Sequence, residues 1–108
     1  MSQDQLSISE AQKRLLQLMQ EVHYGKIEDL VISGGEPVMG LNVKVLRDVK
    51  LSGESSRKPV FADRDYLDKP QVVEMLRQFR RLGDGVVQLV EIHDGLPFRI
   101  HIVEMVRL

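Results

Sequence analysis

At 108 residues, 43% of them apolar and 29% charged, the chain is long enough for one domain with a substantial core and too apolar to be wholly disordered. A net charge of −1 gives no global pull toward nucleic acid or anionic lipid, and the lack of cysteine removes disulfides, thiolate catalysis and thiolate metal sites together. The opening MSQDQLSISE is too polar for a signal peptide and no stretch approaches the roughly 20 apolar residues that span a bilayer, so a soluble cytoplasmic protein of bacterial style, away from membranes, is expected.

Ser7 is the expected start of a first helix. Ser7 and Glu10 fit a capping box, with Leu6 stapled onto Ala11. Ile8, Ala11, Leu15, Leu18 and Val22, widened by Leu16 and Met19, form an apolar stripe of helical period, and Gly25 closes the helix. Ile27–Ile32 is short and β-branched, hence a strand, and Gly34-Gly35 is a two-residue hairpin turn followed by Pro37. After a looser piece, Val43, Val45, Val49 and Leu51 alternate with Lys44, Leu46, Asp48 and Lys50 as a second strand, 43–51.

Residues 52–68 read as a loop whose Phe61, Tyr66 and Leu67 tie back onto the core. Asp68 is the expected N-cap of a second helix, with Pro70 in its first turn and an apolar stripe of Val72, Val73, Met75, Leu76, Phe79 and Leu82. Arg77, Arg80 and Arg81 crowd its last turns, where cations suit the helix dipole, and Gly83-Asp84-Gly85 stops it. Val86–Leu108 then forms a hairpin closed by Asp94-Gly95. Such a pair between apolar runs favours a type I′ turn, whose two central residues both need positive φ.

The first unit overlays the second at an offset of 60 residues. Gly25 falls on Gly85, Ile32 on Ile92, Gly35 on Gly95 and Pro37 on Pro97. Beyond the prolines the offset becomes 57, and Val43 and Val45 fall on Ile100 and Ile102. The expected fold is α+β: duplicated α-β-β units (7–51 and 69–108, joined by a linker at 52–68) in a single domain, with a four-stranded antiparallel sheet and two helices on one face. Strict alternation puts Val87, Leu89, Phe98, Ile100 and Ile102 under the helices. The other face then receives Val86, Val90, Ile92, Val103 and Met105, joined by Leu30, Ile32 and Leu46. A face so apolar is expected to be an interface, most simply of a homodimer packed sheet to sheet or edge to edge.

Candidates for chemistry are few. His93 and His101 are expected on one side of the sheet, but no metal-ligand spacing accompanies them, and no metal or other cofactor is expected. The glycine pairs match no phosphate-binding loop, the serines no nucleophile elbow, and the carboxylates form no pair for acid–base work. A non-enzymatic protein acting through protein interaction or regulation is therefore expected. Two alternatives stay open: a nucleic-acid-binding regulator using Arg77, Arg80 and Arg81, and a small-ligand or metal-binding protein using the histidine side of the sheet. Against the first, no aromatic platform interleaves with those arginines in the sequence.

Tyr24-Gly25-Lys26-Ile27 after an amphipathic helix, together with Ile92-His93-Asp94-Gly95 in a hairpin, resembles the YezD-type small bacterial proteins of unknown function. In those a helix precedes a Y-G-x-I/V step and an H-D-G hairpin. This chain departs by having two units and a long linker. The resemblance implies no activity, cofactor or catalytic residue.

Overall fold

The computed structural model describes residues 8–40, 43–51 and 64–104. In chain order these form α1 (Glu10–Val22), β1 (Gly25–Ser33), β2 (Glu36–Pro37), β3 (Lys44–Arg47), α2 (Arg64–Leu67), α3 (Pro70–Leu82), β4 (Gly85–His93) and β5 (Leu96–Val103). The fold is α+β with one antiparallel sheet.

The capping box of α1 lies two residues later than expected. The Ser9 hydroxyl accepts from the Gln12 amide and the Gln12 side chain accepts from the Ser9 amide, both at 3.0 Å. The Ser9 hydroxyl also donates to the Glu36 carboxylate on β2, a tertiary bond that favours this serine. The expected cap Ser7 lies outside the described residues. α3 is capped by Lys69 rather than Asp68, without a side-chain bond, and Pro70 supplies the preset first-turn φ. The end of the expected loop is the single-turn α2, from which Tyr66 and Leu67 pack on the core. Phe61 lies outside the described residues.

Both long helices end alike. His23 (φ 67, ψ −58) and Gly83 (φ 75, ψ −80) each centre a γ-turn, closed by Tyr24 N–H to Val22 O at 2.7 Å and by Asp84 N–H to Leu82 O at 2.9 Å. This positive-φ γ-turn is rare and strained, and easy only for glycine.

The sheet order is β2-β1-β4-β5, with β3 also on β1. It has five strands rather than four, because β2 pairs with Ile32–Ser33 and β3 with Gly25–Glu28 of the same strand. β3 ends at Arg47, and beyond it Val49 (61% exposed) and Leu51 (93% exposed) leave the pattern expected of 43–51. Both two-residue turns have positive φ at each central residue: 59° and 81° at Gly34 and Gly35, 57° and 77° at Asp94 and Gly95.

One core joins the helices and the sheet. Leu15, Leu16, Met19 and Val22 of α1 and Val72, Met75, Leu76 and Phe79 of α3 meet Ile27, Leu30, Ile32, Val87, Val90 and Ile92. Each such side chain, when fully buried, contributes roughly 1.5–3 kcal/mol. The sheet residues break alternation in the same way in both central strands, with two positions between Ile27 and Leu30 and two between Val87 and Val90. In β1 the break falls at Asp29, whose φ is 58°. In β4 it falls at Gln88, where the register with β5 shifts between Val87 and Leu89. A second shift leaves Phe98 as the extra residue of β5.

These irregularities correct the facing read from strict alternation. Val90, Ile92, Leu30 and Ile32 are core residues with at most 1% exposure, not residues of the outer face. Phe98, expected in the core, is 56% exposed, and Leu89 pairs with His101 instead of Ile100.

Candidate functional site

Turned away from the core, the outer side of the sheet carries two cross-strand rows. Near the Gly34-Gly35 turn, Val31 pairs with Val86 and Val86 with Val103, while the Val38 amide donates to the Val31 carbonyl at 2.8 Å. The result is a row of four valines, of which Val31, Val38 and Val103 are each about 45% exposed and Val86 is half-buried. Near the Asp94-Gly95 turn the matching row is Leu46, Lys26, Glu91 and Arg99. There Glu91 is shared by Arg99 at 3.8 Å and His101 at 3.9 Å.

The same end gathers aromatic rings from three stretches of chain. His23 meets Tyr24 edge to face (centroids 4.8 Å), Tyr24 stands 6.1 Å from His93, and His93 stacks parallel on Phe98 at 4.4 Å. The Arg99 guanidinium lies 5.2 Å from the Phe98 centroid. His23 Nε2 is 2.8 Å from an Asp94 carboxylate oxygen. An open cleft of about 290 Å3 at this corner is lined by Tyr24 and His93 together with Gly25, Lys26, Leu46, Arg47, Asp48, Glu91 and Ile92. Gly25 makes the cleft possible: a Cβ there would lie 2.1 Å from the Leu46 carbonyl oxygen, so only glycine lets β3 approach.

Each end is also pinned to the opposite helix terminus. The Gly95 amide donates to the His23 carbonyl at 2.8 Å, and the Gly35 amide to the Gly83 carbonyl at 2.7 Å. Behind the Asp94-Gly95 turn, the Tyr66 hydroxyl donates to the Gly95 carbonyl at 2.8 Å. Burial pushes the Tyr66 hydroxyl pKa well above its ordinary value, an effect partly offset by the nearby Gln20 amide.

The expected interface residues therefore divide. Val86 and Val103 are on the outer face, Val90 and Ile92 are in the core, and Met105 lies outside the described residues. Arg77, Arg80 and Arg81 stay together on exposed α3, with Arg77 held by Glu74 at 3.4 Å. The ring strip escaped the sequence reading, although pairing the two glycine-led strands with each other would have set Tyr24 beside His93. The Y-G-x-I step and the H-D-G turn, remote in sequence, meet at this corner.

Among the described residues no three His, Cys, Asp or Glu side chains are placed to hold a metal ion, and no helix is long and apolar enough to cross a membrane. No protein-family model, curated protein or solved structure matches the chain. Its class is thus defined by its own architecture, an α+β protein built on a single antiparallel sheet.

Proposed function

We propose that the protein is a non-enzymatic interaction module whose outer sheet face docks another protein surface, most simply that of a second copy. The valine row carries this reading. Four β-branched side chains stand in line across the sheet, where the matching row at the other end holds Lys26, Glu91 and Arg99 beside Leu46. A stable interface needs about 800 Å2 per partner, more than four partly exposed valines offer. The docked surface must therefore also take in Leu89 and the neighbouring Glu28, Lys44 and His101.

The same reading takes the chain as one α-β-β unit written twice, with both long helices covering one side of the sheet, and with the YezD-type proteins as kin. Its support is the register. Val45 pairs with Ile27 as Ile102 does with Val87, and Leu46 pairs with Lys26 as Val103 does with Val86. A cytoplasmic setting fits the composition.

Light scattering on a sizing column tests the interface. The wild type should run as a dimer, and Val31→Glu combined with Val86→Lys, which copies the Lys26–Glu91 pair into the valine end, should run as a monomer. A wild type that is monomeric throughout a dilution series would remove self-association.

A further inference from the structure

We propose that the ring-lined cleft at the His23–Asp94 corner is a binding site for single-stranded nucleic acid, with one base stacked in the cleft against Tyr24 and His93 and its neighbour on the Phe98 side. Binding of single strands needs aromatic faces for bases and cations that track the phosphates. The structure brings the two together here, although they are far apart in sequence. Tyr24 is 43% exposed, Phe98 56%, and His93 is exposed as well. A large aromatic held in water is costly when a core is within reach, and a bulge in β5 is what turns Phe98 outward.

The cations stand along the cleft. Lys26 and Arg47 both line it, exposed and in no ion pair among the described residues. Lys50 follows three residues past Arg47, and Arg99 borders Phe98. Lys44, at the far end of β3, is taken by Glu28 at 3.8 Å, so the cations that line the cleft are Lys26 and Arg47. Of the two carboxylates lining the cleft, Glu91 is already engaged by Arg99 and His101. Asp48 is left to accept from the exocyclic amine of a cytosine or adenine. At about 290 Å3 the cleft suits one planar ring rather than a groove-filling duplex. The strained His23 supports the assignment. An imidazole is kept where the corresponding position is glycine, and it closes the ring strip onto Asp94.

The test is fluorescence anisotropy with labelled single-stranded d(CA)6 and with the same sequence as a duplex. The single strand should bind better than the duplex, and more weakly as salt rises. Tyr24→Leu and Phe98→Ala, both at exposed positions whose folding is checked by melting, should each weaken it roughly tenfold. Arg47→Ala should lower the slope of log affinity against log salt by about one phosphate contact. Replacing Arg77, Arg80 and Arg81 together by alanine should leave binding unchanged. The proposal is overturned by no binding at low salt, by equal binding of duplex with both ring variants unaffected, or by loss of binding in the triple arginine variant alone.

Discussion

The two ends of the sheet are built on the same backbone and finished with different side chains. At each end a long helix closes in a positive-φ γ-turn, and the turn carbonyl accepts from a hairpin glycine, Gly95 onto His23 and Gly35 onto Gly83. At each end a cross-strand pair joins β1 to β4 on the outer face, Lys26 with Glu91 at one and Val31 with Val86 at the other. Backbone sterics explain the glycines and the shared turns at both ends. They do not explain a histidine where glycine serves equally well, or valines where a charged pair serves equally well. Backbone geometry leaves those residues unexplained.

The largest difference should appear at the first glycine of each central strand. Gly25→Ala drives a Cβ to 2.1 Å from the Leu46 carbonyl oxygen, a backbone atom that cannot swing aside. It should cost about 3 kcal/mol or more, by denaturant unfolding, and should open the cleft. At the other end a Cβ on Gly85 meets the Leu82 side chain, nearest at 3.0 Å, which can give way, so Gly85→Ala should cost about 1 kcal/mol. Equal losses at the two ends would show that β3 adapts freely.

Exchanging the helix-terminal residues comes next. Gly83→His puts a side chain at φ 75 with no Asp94 to receive it and should cost about 1–3 kcal/mol. His23→Gly relieves the same strain and loses the Asp94 pair and the edge-to-face contact with Tyr24, so stability should stay within about 1 kcal/mol of wild type. A loss well beyond that would make His23 a structural residue.

Tyr66 braces the His23 end by its bond to the Gly95 carbonyl, and Tyr66→Phe should cost about 1 kcal/mol at neutral pH. Burial raises the folded pKa of this hydroxyl above the unfolded value near 10. The folded state thus holds the proton more tightly, and the stabilisation is complete below about pH 10 and lost as pH climbs toward the folded value. Wild-type stability should fall through that alkaline range, and the decline should flatten in Tyr66→Phe.

The smallest effect on stability belongs to the outer rows. Val31→Glu with Val86→Lys sits on the outer face and should change unfolding free energy by no more than about 0.5 kcal/mol per site, whatever it does to the proposed self-association. A large loss would mean that the valine row serves the fold.

The sequence by itself determined the elements of short range. In the expected α3 stripe Val72, Met75, Leu76 and Phe79 are buried, while Val73 is 48% exposed; Asp94-Gly95 and Gly34-Gly35 turn with positive φ, and Tyr66 and Leu67 return to the core. Each of these follows from periodicity or from the sterics of a few neighbouring residues. Only the tertiary structure decided which face each strand residue takes. The irregularities at Asp29, Gln88 and Phe98 reset a two-residue period, sending Val90 and Ile92 inward and Phe98 outward. No residue type announces such a reset, because it depends on two strands burying their apolar sets in one shared core. Likewise only the pairing of β1 with β4 brings Tyr24 to His93, two rings nearly seventy residues apart along the chain and 6.1 Å apart in space.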